Sequence, residues 1–298
     1  MDKVLIGTTS WTDKTLIASG LFYPRGVKTA EARLRYYADR FPIVEVDSSY
    51  YAMPAERNSV LWVERTPATF TFDIKAFRLF TQHQTPLTAL PADIRNALGA
   101  IDKANVYYRD LADELIDEMW VRFRTALAPL GKAGKLGVVV FQFPPWFVYR
   151  RSNLDHILQC AQYLDGYQIA VEFRNISWLG DKHHEDVLSF EKENHLAHVV
   201  VDEPQGFSSS IPTVWEVTCP EVAAVRLHGR NRATWEKKGL TAAERFNYLY
   251  ADSELREFVD PVRKLAARAR RVHVLFNNCY GDNAQRNATE LQSLFDSV

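Results

Sequence analysis

The chain has 298 residues, of which 47% are hydrophobic and 24% charged, a composition typical of a globular protein with a sizeable core. A formal net charge of −1 gives it no whole-molecule attraction to nucleic acid or to an anionic membrane, so we expect no membrane partner and disfavour a nucleic-acid partner. No apolar run reaches the length of a membrane span and the first residues are too polar for a secretory signal, which predicts a cytoplasmic protein.

Short β-branched runs alternate with helical patterns along the whole chain. Eight runs are predicted to be strands, at residues 4–9, 43–47, 70–75, 135–142, 168–173, 197–202, 222–228 and 272–277. Helices are predicted at residues 29–40, 54–65, 91–130, 154–163, 185–194, 253–271 and 283–295. The long helical region forms an insertion at about residues 85–130.

Eight strands separated by helical crossovers indicate a parallel sheet, and eight parallel strands can close into a barrel. The predicted fold class is therefore α/β, a single-domain (β/α)₈ TIM-like barrel over residues 1–298 in which the last strand pairs with the first. A doubly wound open sheet is the alternative. It is weakened because no glycine-rich phosphate loop follows the first strand.

Polar side chains alternate with apolar ones near the ends of the strands. In the strand at 168–173, Val171 and Phe173 occupy one face, and Glu172 and Arg174 occupy the other. The apolar face should meet the helices, so the polar face should point into the barrel, with its last members at the carboxyl mouth. The same reasoning brings to the mouth Glu45, Asp47, Lys75, Gln142, Asp202, Arg226, His228 and Asn277.

Charged groups in a barrel interior need an explanation, because burying a charge is costly unless it is paired. One explanation is a salt-bridge network that only holds the barrel together. The other is a functional site, since barrel enzymes carry their active sites at the carboxyl ends of the strands. We favour the functional site.

Residue types suggest roles within that site. His228, Glu172, Lys75 and Asp202 are the candidates for proton transfer, because their side chains exchange protons in many enzymes. Guanidinium groups bind phosphate and carboxylate in bidentate fashion, which makes anion ligands of Arg174, Arg226 and Arg230. Further substrate-binding candidates are Asn277, Asn278, Glu45, Asp47, Gln142, Trp11 and Tyr50.

Several strand-end motifs resemble those of the YecE-like family, catalogued as domain-of-unknown-function family 72. The matching motifs are Ile6-Gly7-Thr8-Thr9-Ser10-Trp11, Val44-Glu45-Val46-Asp47-Ser48-Ser49-Tyr50-Tyr51, Phe141-Gln142-Phe143-Pro144-Pro145, Ala170-Val171-Glu172-Phe173-Arg174, Val225-Arg226-Leu227-His228-Gly229-Arg230 and Phe276-Asn277-Asn278-Cys279. Lys75 and His83 also fall where that family shows a Lys and a Thr-His pair. The resemblance covers nearly the whole chain. It implies a TIM-like barrel and no agreed reaction.

The sequence thus predicts an enzyme that acts by acid/base chemistry at the barrel mouth, as a hydrolase, lyase or isomerase. Its expected substrate is a small polar, anionic molecule that bears phosphate or carboxylate, such as a sugar or nucleotide derivative. One alternative is a binding module without catalysis, for a nucleotide, a nucleic-acid end or a protein tail. Another is a metal-dependent barrel of sugar-isomerase or glycosidase type. We expect no cofactor and no metal, because the basic side chains predicted at the mouth would repel a cation.

Overall fold

The structure is a computed structural model that describes residues 3–99 and 103–296. Its strands, numbered in chain order, are β1 (Val4–Thr8), β2 (Ile43–Val46), β3 (Thr71–Lys75), β4 (Thr85–Pro86), β5 (Asn105–Val106), β6 (Leu136–Gln142), β7 (Ile169–Glu172), β8 (Ala197–Asp202), β9 (Val222–Leu227) and β10 (Arg271–Phe276). Eight of them form the barrel, and β4 and β5 form a separate antiparallel pair.

Most of the helices connect consecutive strands of the barrel. They are α1 (Lys14–Ser19), α2 (Ala30–Ala38), α3 (Ser48–Tyr51), α4 (Glu56–Glu64), α5 (Ala92–Ala97), α6 (Asp113–Lys132), α7 (Arg151–Tyr163), α8 (Ile176–Leu179), α9 (His184–Glu193), α10 (Ala242–Arg245), α11 (Asp252–Arg268) and α12 (Asn283–Asp296). Among the described residues, no helix combines the length and the apolar composition that crossing a membrane would take.

The eight barrel strands form one closed parallel sheet in the order β1-β10-β9-β8-β7-β6-β3-β2. Closure comes from the pairing of β10 with β1, in register from Val4 opposite Val272 to Thr8 opposite Phe276. The predicted closed parallel barrel is confirmed, and each of the eight predicted strands lies within two residues of its expected bounds. The carboxyl ends of all eight strands therefore meet at one mouth.

The segment from 85 to 130 differs from the expected long helical region. It contains the separate helices α5 and α6, with β5 between them and β4 before α5, and the two strands pair with Thr85 opposite Val106. A two-residue strand is too short to show a two-residue alternation, so the sequence pattern did not reveal that the two helices are separate.

The start of α2 is capped by Thr29, whose side chain accepts a hydrogen bond from the Ala32 amide.

The lower layer of the barrel interior contains a buried Asp73–His273 pair, with His273 Nδ1 3.0 Å from each Asp73 carboxylate oxygen. The register of β6 shifts beside it, and the amide of Val138 donates to Asp73 Oδ1. Gly137 is required at the shift, because a Cβ there would overlap that carboxylate oxygen. Charged side chains therefore occupy the interior well below the mouth.

Candidate functional site

The centre of the mouth is the guanidinium of Arg226, which is fully buried between two carboxylates. One amino group, Nη2, donates to Glu45 Oε1 at 2.7 Å, and the other, Nη1, donates to Glu172 Oε2. Burial disfavours the positive charge, but the two carboxylates outweigh it and raise the pKa of Arg226. The inward faces of β2, β7 and β9 thus meet as the alternation predicts.

A chain of hydrogen bonds runs from this centre through His228 to the first strand. His228 Nε2 lies 3.1 Å from Glu172 Oε1, and its Nδ1 lies 2.8 Å from the side-chain amide nitrogen of Asn277. Because that amide can only donate, Nδ1 accepts and Nε2 carries the proton that goes to Glu172. Asn277 is oriented in turn by Thr9, whose hydroxyl donates to Asn277 Oδ1 at 2.6 Å. His228 is therefore held as one neutral tautomer, with both ring nitrogens engaged.

The environments of these groups separate their pKa values. Burial lowers the pKa of His228 to about 3, so the ring stays neutral at physiological pH. Burial also opposes ionisation of Glu172, but Arg226, His228 and Arg174 together hold its pKa well below the usual range. Burial dominates at Glu45 and raises its pKa to about 7 despite Arg226. Among the described residues, Glu45 Oε2 has no hydrogen-bond partner, so this oxygen is free to carry a proton.

Arg174 lies nearer the opening of the mouth than Arg226 does, and its side chain is 12% exposed. Its Nη1 donates to Glu203 Oε2 at 2.5 Å and lies 3.5 Å from Glu172 Oε1, while the guanidinium packs over the ring of Trp235. Burial raises the pKa of Glu203 to about 8. These contacts fix the guanidinium through one amino group and leave its other donors toward the opening.

A second cation near the opening, besides Arg174, is Lys75 at the end of β3, which lies two strands from β7 in the barrel order. Its Nζ donates to Asp47 Oδ1 at 2.8 Å and lies 4.6 Å from the ring centroid of Tyr50. The Asp47 side chain is 28% exposed, and Lys75 is 9% exposed, so solvent reaches this pair more readily than the buried centre. The structure therefore brings Lys75, Asp47 and Tyr50 together, as the sequence predicted.

A third cation, Arg78, completes this side of the mouth. The Arg78 guanidinium lies over the Tyr50 ring, 5.1 Å from its centroid. Within the described ranges, no carboxylate lies within ion-pair distance of Arg78, and its buried Nε has no hydrogen-bond partner. His83 packs edge-on against Tyr50 at 5.1 Å and against the exposed Trp146 at 5.7 Å. Burial, with Lys75, Arg78 and Arg174 nearby, lowers the pKa of His83 to about 3.

Asp202 and Arg230 do not join this group, which corrects the sequence prediction. The Asp202 carboxylate accepts hydrogen bonds from Arg230 at 2.9–3.1 Å and from the Tyr250 hydroxyl at 2.7 Å. Arg230 also forms ion pairs with Glu254 and Glu257 of α11. Asp202 shares its strand face with His198, which pairs with Glu191 of α9. That face of β8 points to the helices, so the inward carboxylate is the next residue along, Glu203.

Two further candidate residues have side chains that pack within the protein and do not face the opening. Trp11 is buried against Trp62 and Phe72, in the layer between β3 and α4, rather than at the mouth. Asn278 is also buried, and its amide donates to the Tyr248 carbonyl and to Asn287 Oδ1. The half-buried Gln142 does lie at the site, where its amide donates to Glu172 Oε1 at 2.5 Å.

Sequence reasoning missed Glu203, Arg78 and Thr9 as parts of the site. Glu203 was missed because Asp202 was assigned to the inward face of β8, and Arg78 lies in a loop three residues beyond β3. Thr9 could have been found, because it directly follows β1 and has the phase opposite to Thr8, whose amide and hydroxyl bond Tyr37 of α2. The strand-end signal was sound, but its extension into the loops needs three-dimensional information.

The mouth as a whole combines four cations with carboxylates that are ionised to different degrees. The cations are Arg226, Arg174, Lys75 and Arg78. Glu172 stays charged, whereas the raised pKa values of Glu45 and Glu203 leave these two partly protonated near neutral pH. The balance at the mouth is therefore positive. Within residues 3–99 and 103–296, no group of three or more His, Cys, Asp and Glu side chains is arranged to hold a metal ion.

Two open grooves lie away from the mouth. One of about 650 Å³ lies at the amino ends of β7 and β8, beside Tyr167 and His195, and one of about 810 Å³ lies against the amino end of β1, beside Arg40 and Arg263. Neither is lined by the strand-end groups whose pKa values are displaced. The mouth remains the candidate site, because perturbed acids, bases and cations converge there.

Comparison with known proteins finds matches over nearly the full chain. Residues 5–297 match the family model described as "Protein of unknown function DUF72". The curated UPF0759 protein YunF of Bacillus subtilis (strain 168) is 35% identical over 297 residues, covering 98% of this chain and 95% of that protein. A solved DUF72 family protein of Enterococcus faecalis V583 (EF0366) superposes with a TM-score of 0.79 at 27% identity, covering 98% of this chain and 95% of that one. Another, of Thermotoga maritima MSB8 (TM1631), gives 0.75 at 28% identity and covers 99% of each chain.

Proposed function

Because the chain belongs to the DUF72 family of proteins of unknown function, we propose its function from its own site: it binds a small anionic molecule at the carboxyl mouth of the barrel and converts it by acid/base chemistry. The observation that carries the proposal is the convergence of Lys75, Arg78 and Arg174 on one side of the mouth. Arg78 has no ion-pair partner among the described residues, so a ligand anion would supply one.

The acid/base pair of this proposal is Asp47 with Lys75. These two side chains are 2.8 Å apart at the opening, where a substrate can reach them. Asp47 would accept a proton from the substrate, and the ammonium of Lys75 would stabilise the negative charge that develops or return a proton to the leaving atom. Lysis and isomerisation begin with this step, and in hydrolysis Asp47 would instead accept the proton of the attacking water.

The buried groups have a supporting role in the same proposal. His228 has no free nitrogen and stays neutral, so it does not move a proton in this arrangement. It holds Glu172, and Glu172 in turn fixes Gln142 and lies beside Arg174. We therefore assign proton transfer to Lys75 and Asp47 and assign positioning to Glu172 and His228.

The alternative is an anion-binding module that performs no chemistry. The burial of Glu172, Arg226 and His228 favours it, because three polar groups of the mouth are closed to a ligand. Both functions need the same cations, and they differ in turnover alone.

Titration calorimetry with sulfate, phosphate and small carboxylates tests the shared part of the proposal. A charge-assisted hydrogen bond contributes about 1.5–3 kcal/mol, so Arg174→Gln and Arg78→Gln should each weaken anion binding at least tenfold. Arg122→Gln is the matched control, since Arg122 also bridges two carboxylates, Asp93 and Glu118, but lies on α6. Anion binding that is unaffected by Arg174→Gln and Arg78→Gln would overturn the proposal.

Turnover separates the enzyme from the binding module. With any compound from a panel of organic phosphates and carboxylates that the wild type converts, Asp47→Asn should keep the affinity within a fewfold and lose the rate. If the wild type binds panel members tightly and converts none of them, the binding module replaces the enzyme.

A further inference from the structure

Two exposed aromatic rings stand beside the cations of the mouth. Trp146, in the loop after β6, is 58% exposed, and Tyr51, at the end of α3, is 50% exposed. They lie at the two ends of a row of rings that runs Tyr51, Tyr50, His83, Trp146, with neighbouring centroids 5.0, 5.1 and 5.7 Å apart. Large exposed apolar rings next to a charged cleft are typical of ligand-binding surfaces.

The geometry of the row leaves ring faces available for stacking. His83 meets Tyr50 at 88° and Trp146 at 72°, so neither contact is a face-to-face stack, and more than half of Trp146 is exposed. The cations lie toward the Tyr51 end of the row, because Lys75 and Arg78 both pack against Tyr50. His83 lies in the field of Lys75, Arg78 and Arg174 and also touches Trp146, so an anion site and a stacking surface are immediate neighbours.

The polar groups of the mouth disfavour a bare sugar as the stacked part. Recognition of hydroxyl groups needs free carboxylates and amides. The amides of Asn277 and Asn278 and the carboxylate of Glu172 are already engaged within the protein. A flat heterocycle makes fewer such demands, because its main interaction with Trp146 is through its face.

We propose that the ligand of the mouth is an organic phosphate whose far end is a flat ring, as in a nucleoside monophosphate, with the phosphate on Lys75, Arg78 and Arg174 and the ring stacked on Trp146. This inference rests on the anion site proposed above and adds the chemical class of the ligand. The charged end and the ring would contact opposite ends of the same row. Specificity would then come from stacking, and affinity from the cations.

Titration calorimetry at one ionic strength, with the four common nucleoside 5′-monophosphates, ribose 5-phosphate and inorganic phosphate, tests the inference. We expect at least one nucleoside monophosphate to bind about tenfold or more tightly than ribose 5-phosphate, which is the scale of one base–aromatic stack. Trp146→Ala should remove that advantage and leave the affinity for ribose 5-phosphate unchanged. Arg174→Gln should weaken every phosphate.

The control is Tyr280→Ala, because Tyr280 is also an exposed ring after a barrel strand but lies outside the row. Equal affinities for ribose 5-phosphate and all four nucleoside monophosphates would overturn the ring assignment and leave the anion site standing. A nucleotide preference that survives Trp146→Ala would also overturn it. Failure of every phosphate to bind would overturn both proposals.

Discussion

Replacement of Arg226 by methionine tests how far the polar centre of the barrel holds the fold together. Methionine keeps much of the volume and removes the charge, which leaves Glu45 and Glu172 facing each other without their shared cation. Both carboxylates are fully buried, and breaking a buried ion pair in this way costs about 3–5 kcal/mol. For a chain of 298 residues we expect the melting temperature to fall by roughly 5–8 °C.

The loss should depend on pH with a definite sign. Without Arg226, the folded-state pKa values of Glu45 and Glu172 rise above those in the unfolded chain, so the unfolded state releases its protons first as the pH increases. The destabilisation should therefore be largest near pH 8–9 and shrink toward pH 5. Urea unfolding at several pH values, followed by far-ultraviolet circular dichroism, measures this directly.

Two further variants separate charge from packing in this experiment. The triple variant Glu45→Gln, Glu172→Gln, Arg226→Met should recover much of the lost stability, because no uncompensated charge remains. Arg122→Met, at the exposed pair with Asp93 and Glu118, should cost far less than Arg226→Met. A stability loss at Arg226→Met that is the same from pH 5 to pH 9 would refute the electrostatic reasoning.

Three other expectations follow from the same geometry. Sulfate should bind several-fold more tightly at pH 6 than at pH 9, and its own charge stays constant between these values. The raised pKa values of Glu45 (about 7) and Glu203 (about 8) make the mouth more positive as the pH falls. A sulfate affinity that does not change with pH would contradict this. Arg230→Met should lower the melting temperature without changing anion affinity, since Arg230 contacts Asp202 and α11; weakened binding in calorimetry would place it back in the site. Elemental analysis of the purified protein should give well below one transition metal per chain, because the cations of the mouth outweigh its ionised carboxylates. A content near one zinc, manganese or iron would promote the metal-dependent alternative.

Strand alternation could predict most of the buried centre. Glu45, Glu172, Arg226 and His228 lie on strands with regular two-residue alternation, and the polar face in each of them is the inward one. A strand has only two faces, so once one residue is correctly assigned to the inward face, the direction of every other side chain on that strand follows.

The same rule failed at β8 because its sequence, Ala-His-Val-Val-Val-Asp, is apolar on both faces apart from His198 and Asp202. The two polar residues share a face that points outward, where Glu191 of α9 and Tyr250, just before α11, supply their partners. A long-range partner outside the strand leaves no local trace in the strand. Glu203 directly follows Asp202 and was missed through the same error of phase, whereas Arg78 lies in a loop three residues beyond β3.

The measurement that tests the central claim most directly is a crystal structure of the protein soaked with tungstate, a phosphate analogue located by its anomalous scattering. The account predicts one ordered anion at the mouth within hydrogen-bond distance of Arg174 and of Lys75 or Arg78, and its loss in crystals of the Arg174→Gln variant. An ordered tungstate in the groove beside Arg40 and Arg263, with none at the mouth, would contradict the account.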